Sequence, residues 1–137
     1  MFLYLRNKLL CITPNLTWIT FYIFHKYSIK NAYECYLASL IIISYVLSIS
    51  FWKSAIKGSL IHRLDAIVAK FSITNLILYT IYHKKFRYSY LFFVNCIICS
   101  AIMSHIESTK EWNSYRHVGF HLMLHFSCFF TSLYAFI

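Results

Sequence analysis

The chain of 137 residues has room for one domain. It is 60% hydrophobic and only 12% charged, whereas about a quarter of the residues in ordinary soluble domains are charged. The net charge of +9 comes from basic residues between long apolar segments, where they suit lipid headgroups better than a nucleic-acid surface. We therefore predict an all-α integral membrane protein whose partners are membrane lipids, with no nucleic acid bound.

The apolar segments, taken in chain order, predict a single domain over 1–137 built as a bundle of four or five transmembrane helices. The first segment, 9–24, is interrupted by Pro14 and Asn15 and is open to three interpretations: a span, an interfacial helix or a re-entrant segment. The other four are 35–52, 66–82, 88–104 and 118–137. About 20 apolar residues cross the hydrocarbon core, so we expect each of these four to span a membrane. Every loop carries basic residues, so the sequence does not predict the orientation or which membrane holds the protein.

A short basic turn, 83–87, separates the third and fourth segments and predicts a helical hairpin with Tyr82 and Tyr88 on one membrane face. Lys70 lies one turn inside the third segment, where its long side chain can reach towards the headgroups. The stretch 106–116 is the most polar of the chain and is expected to form a loop.

Three histidines, His117, His121 and His125, follow one another at intervals of four residues. On a helix this interval keeps them along one stripe. His121 and His125 form an H-x-x-x-H, and two imidazoles at this spacing can bind one metal ion. Interhelical hydrogen bonds from buried histidines, or an interfacial position of His117, are the non-metal interpretations.

A second polar group stands at the start of the third segment, where Asp65 shares a helical face with His62. A carboxylate at membrane depth is costly and indicates a function, whereas an acid in an exposed first helical turn is a common structural feature. On the second segment, Ser44 and Ser48 form a hydroxyl stripe. Serine pairs of this kind serve either chemistry or helix packing.

The order of these residues along the chain, serine, then aspartate, then H-x-x-x-H, resembles the superfamily of alkaline ceramidases, progestin/adipoQ-type receptors and related membrane hydrolases. The resemblance runs from Ser44 to His125 and implies an intramembrane zinc site. By resemblance, His121 and His125 would bind zinc, Asp65 would hold the zinc-bound water and Ser48 would be the hydroxyl partner. Trp52 stands where the family has a histidine, so His62 or His117 would complete the ligand set.

The function that this resemblance implies is zinc-dependent hydrolysis of a lipid amide or ester that arrives through the bilayer. Zinc with an open position ionises its water near pH ~7, which suits attack on a carbonyl. Two alternatives remain open. One is a non-catalytic small membrane protein, structural or of the viral envelope type. The other is a haem-binding helix bundle that uses histidines of different helices, such as His105 and His121.

Overall fold

The computed structural model describes residues 8–85, 87–112 and 114–137 and contains helices and no strand within them. After a short helical stretch at 8–12 and a 3-10 turn at Thr13–Asn15, five α-helices follow. They are α1 (Leu16–Tyr27), α2 (Ala32–Lys53), α3 (Leu60–His83), α4 (Tyr88–Lys110) and α5 (Tyr115–Phe136). The helices α2 to α5 are long and apolar enough to cross a membrane. The predicted all-α membrane bundle is thus confirmed.

Side-chain caps explain why three helices begin earlier than their apolar segments. The side chains of Asn31, Ser59 and Ser114 each accept a hydrogen bond from the backbone N–H three residues further on. Such a cap satisfies a backbone donor that the first helical turn leaves unpaired. Consequently α2, α3 and α5 begin at residues 32, 60 and 115 instead of the predicted 35, 66 and 118.

The end of α4 also differs from the expected bound, because α4 continues through residues 106–110 of the expected loop 106–116 and ends at Lys110. That part of the prediction was wrong. Polar side chains do not interrupt backbone hydrogen bonding in a helix, so an apolar run marks the part of a helix in the hydrocarbon core rather than its whole length. Asp65 accordingly lies in the second turn of α3 and not before it.

The interrupted first segment lies along α5 in the same direction. Leu10 and Val118 share a buried cluster, the Thr20 and Ser132 hydroxyls are 3.2 Å apart, and the Phe24 and Phe136 rings lie edge to face at 5.1 Å. The segment is not one helix, because the 3-10 turn that contains Pro14 divides it. It packs along the length of the bundle as two shorter pieces.

The bundle has two ends, defined by its loops. The connection from α2 to α3 and that from α4 to α5 lie at one end, called here the histidine end. The connection from α1 to α2 and that from α3 to α4 lie at the other, called the Glu34 end. A buried cluster occupies each end: Phe51, Trp52 and Val118 with Leu10 at the histidine end, and a second cluster around Leu76 and Phe136 at the Glu34 end. The polar residues singled out above lie mainly between them.

This alternation predicts which loops share a membrane face. In a cysteine-free background, Lys57→Cys and Glu111→Cys should react with a water-soluble maleimide from one side of sealed vesicles, and Lys30→Cys and Lys85→Cys from the other. An even number of spans separates the two positions of each pair. Labelling of Lys57→Cys and Glu111→Cys from opposite sides would contradict the hairpin of α3 and α4.

Candidate functional site

A cavity of about 380 Å³ lies inside the bundle, within the range of about 300–1,000 Å³ that is usual for ligand pockets. Residues from α1 to α5 and from the preceding 3-10 turn line it. The lining includes all six residues that the sequence singled out for the site: Ser48, Asp65, His62, His117, His121 and His125. These six residues lie on α2, α3 and α5 and are up to 77 positions apart in the chain, yet they line the same cavity.

His121 and His125 lie one helical turn apart, with ring centroids 4.8 Å from each other. The Nδ1 of His125 is 2.7 Å from the hydroxyl of Thr13, which also lies 3.3 Å from the Leu9 carbonyl. The Thr13 hydroxyl and Nδ1 form a hydrogen bond whose donor is set by the tautomer of the imidazole. Nδ1 of His121 makes a longer contact of 3.5 Å with the Ser104 hydroxyl.

The remaining histidines belong to an aromatic group at the histidine end. The Trp112 ring lies 5.4 Å from the His62 ring and 5.0 Å from the His117 ring. His62 also stacks on Phe51, and its Nδ1 accepts a hydrogen bond of 2.9 Å from the Gly58 N–H. A neutral His62 therefore carries its proton on Nε2, which leaves that nitrogen without a lone pair for a metal.

Trp52 stands where the superfamily that the residue order resembles has a histidine. The residue is 1% exposed. Its ring lies parallel to Trp112 at 6.1 Å and edge to face with His121 at 5.2 Å. Its indole N–H is buried without a hydrogen-bond partner in the described part of the chain. Trp52 thus packs against a candidate ligand instead of serving as one.

Asp65 has neither an ion pair nor a hydrogen bond to the part of the chain that the structure describes, where the two ion pairs involve Glu34 and Glu107. It is half-buried in the cavity lining. Of the two serines on α2, Ser44 is 2.9 Å from the Ser72 hydroxyl of α3 and so joins two helices. Ser48 makes no such contact with the described residues and remains the hydroxyl available to a ligand.

The fit to zinc is incomplete. Two imidazoles on one tetrahedral zinc have ring centroids on the order of 5 Å apart, which the 4.8 Å between His121 and His125 matches. However, residues 8–85, 87–112 and 114–137 contain no group of three or more His, Cys, Asp or Glu arranged to hold a metal ion. The structure therefore supplies two ligands with suitable spacing and no third.

Comparisons of the chain with protein-family models, curated proteins and solved structures found no match. The class to which the fold assigns it is that of multi-pass helical membrane proteins.

The sequence reasoning missed two polar residues with defined partners. Thr13 precedes the proline that was treated only as an interruption, and nothing local indicated its contact with His125. Glu34 lies in α2 and is fully buried. Its signal was present in the sequence, since Asn31 and Glu34 are spaced as in a capping box, in which an N-cap side chain is followed three residues later by an acid or amide.

Proposed function

We propose that this protein is an intramembrane hydrolase that acts on the ester or amide bond of a lipid bound in the cavity. The observation that carries the proposal is the convergence of Asp65, Ser48 and the H-x-x-x-H pair on one cavity. A carboxylate without an ion pair in the described part of the chain and two imidazoles that line the same cavity are suited to proton transfer.

Each group has a role in the proposed reaction. The Asp65 carboxylate accepts a proton from a water molecule as this attacks the carbonyl carbon of the lipid. His121 and His125 hold that water through the ring nitrogens that face the cavity. Ser48 donates a hydrogen bond to the carbonyl oxygen, which becomes negative as the bond forms. The bond to the leaving oxygen or nitrogen then breaks, and Asp65 returns the proton to that atom. The products are a fatty acid and an alcohol or amine.

Zinc stays a prediction, and no step of the proposed reaction depends on it. Metal analysis of protein purified without chelator tests it. A zinc site with a third ligand that moves into place would bind zinc in a one-to-one ratio. The zinc would be lost in His121→Ala and in His125→Ala but retained in His25→Ala. His25 is the matched control because it is exposed near the end of α1. Metal-free wild-type protein would contradict the zinc prediction.

The hydrolase proposal is tested with purified protein in nanodiscs and a panel of lipid esters and amides, with released fatty acid measured by mass spectrometry. We expect release by the wild type and a loss of about 10²–10⁴-fold in Asp65→Asn, because the amide cannot accept the proton. Glu111→Gln is the control, since it neutralises an exposed acid outside the cavity. Folded wild-type protein that releases no fatty acid from any lipid of the panel, or Asp65→Asn with undiminished release, would overturn the proposal.

A further inference from the structure

The cavity opens to one side of the bundle. Among the described residues that line it, only Lys70 of α3 and Ala101 and His105 of α4 are exposed, and the others are buried or half-buried. Lys70 and Ala101 lie near the middle of their helices. In a chain that spans a membrane, the opening therefore faces the hydrocarbon core and not the water at either end.

The packing of the helices explains this opening. The helix pairs in extensive contact include α2 with α3 and α4 with α5, but not the consecutive helices α3 and α4. Two hydrogen bonds lie near the ends of the gap between these two helices, one from the loop before α3 to α4 and one between α3 and α4. At the histidine end, Lys57 donates to the Ser108 carbonyl at 3.1 Å; towards the Glu34 end, the Tyr90 hydroxyl donates to the Ile77 carbonyl at 3.3 Å. Between these bonds α3 and α4 leave a lateral window.

The cavity behind the window is long. Its lining runs along α3 from His62 to Leu76, a rise of about 21 Å at about 1.5 Å per residue. One leaflet of a hydrocarbon core of about 30 Å is about 15 Å thick. The end that contains Ile73, Leu76 and Phe129 has hydroxyl groups but no charged or imidazole side chain in its lining, whereas the other contains the histidines and Asp65. This space matches an acyl chain with its polar group at the histidine end.

Lys70 gives the window a charge. The ion pairs of the described residues use Lys84 and Lys110, so Lys70 has no acidic partner there. Side chains of a helix lean towards its N-terminus, which for α3 is the histidine end. A cation at membrane depth is costly without a partner, and an anionic group on an entering lipid would provide one.

We propose that an anionic lipid enters the cavity through the window between α3 and α4, with its acyl chain in the cavity and its phosphate or carboxylate paired with Lys70. If the proposed function holds, this inference also gives the substrate class, which is an anionic lipid ester or amide. Binding itself does not require hydrolysis, so it is measured separately.

Tryptophan fluorescence provides the test, because Trp52 and Trp112 line the cavity whereas Trp18 is 62% exposed on the outside of the bundle. In the Trp18→Phe protein in nanodiscs, brominated phosphatidylglycerol and brominated fatty acid are compared with brominated phosphatidylcholine. Bromine quenches tryptophan on contact. We expect stronger quenching by an anionic probe than by phosphatidylcholine; the two anionic probes distinguish phosphate from carboxylate recognition.

Two kinds of variant locate the entry. Ala101→Phe should fill the window and remove most of the quenching, whereas Ile102→Phe, on the neighbouring exposed position outside the cavity lining, should leave it unchanged. Lys70→Gln should make anionic and zwitterionic probes equivalent. Ala69→Phe provides a second block from the α3 side, and circular dichroism checks that each variant is folded.

The outcomes separate this inference from the proposed function. Quenching that is equal for all probes, or unaffected by both window blocks in folded protein, would overturn the lateral entry of an anionic lipid even if hydrolysis is observed. Quenching with the expected pattern but without fatty acid release would support the entry route and contradict the hydrolase.

Discussion

Replacement of Glu34 by alanine is expected to lower the free energy of unfolding by about 3 kcal/mol. Loss of one partner from a buried ion pair costs about 3–5 kcal/mol, because it leaves the other charge unpaired. The lower end applies here, since Lys84 is 19% exposed and its ammonium can reach water. The measurement is unfolding by denaturant in detergent micelles, followed by tryptophan fluorescence and circular dichroism.

The contacts of Glu34 explain the size of this effect. One carboxylate oxygen accepts from Lys84 at 2.8 Å and from the Tyr79 hydroxyl at 2.7 Å, and the other accepts from the Ser28 hydroxyl. The network joins the start of α2 to the end of α3 and to the connection after α1. Asn31 completes it, with its side-chain nitrogen 3.2 Å from the Tyr79 oxygen.

Two controls accompany the Glu34 measurement. Glu111→Ala removes an exposed acid and should change stability by less than about 0.5 kcal/mol. In Glu34→Leu combined with Lys84→Met, both charges are absent, and much of the lost stability should return. A Glu34→Ala protein as stable as Glu111→Ala would mean that the buried ion pair does not hold this end of the bundle.

Removal of either histidine of the H-x-x-x-H should lower the rate of lipid hydrolysis by about 10²-fold or more. In the proposed reaction His121 and His125 hold the same water, so they act as a unit. The double variant should therefore lose little more activity than a single one, because groups that act together are strongly non-additive. The comparison uses kcat/KM for the best lipid of the panel, with His25→Ala as the control.

Additive losses in the double variant would contradict a shared water and indicate separate roles for the two rings. Retained activity in both single variants would remove them from the reaction. His125→Ala also loses the contact with Thr13, so Thr13→Val serves as a second control. It breaks the same contact and leaves the imidazole in place.

The sequence was sufficient for the membrane bundle because long uncharged segments leave few other folds. It was less reliable for helix ends, where the caps Asn31, Ser59 and Ser114 set the first turn and polar residues continue α4. The grouping of Asp65 with His121 and His125 followed from a chain-order resemblance, and all three residues line one cavity.

Other features depend on packing and could not be read from sequence spacing. Thr13 meets His125 because the N-terminal segment runs along α5, and the window exists because α3 and α4 are consecutive but do not pack closely. The hydrogen bond from Gly58 to His62, which fixes the tautomer of a neutral imidazole, also depends on the loop conformation. Helical periodicity places a side chain on a face but does not identify the element that covers that face.

Hydrolysis in ¹⁸O-labelled water tests most directly whether Asp65 activates water for attack on a bound lipid. Wild-type protein in nanodiscs should release fatty acid that carries one ¹⁸O atom from the attacking water, while Asp65→Asn should release almost none and Glu111→Gln should match the wild type. Release of fatty acid without ¹⁸O, or equal labelled release from wild type and Asp65→Asn, would contradict the account.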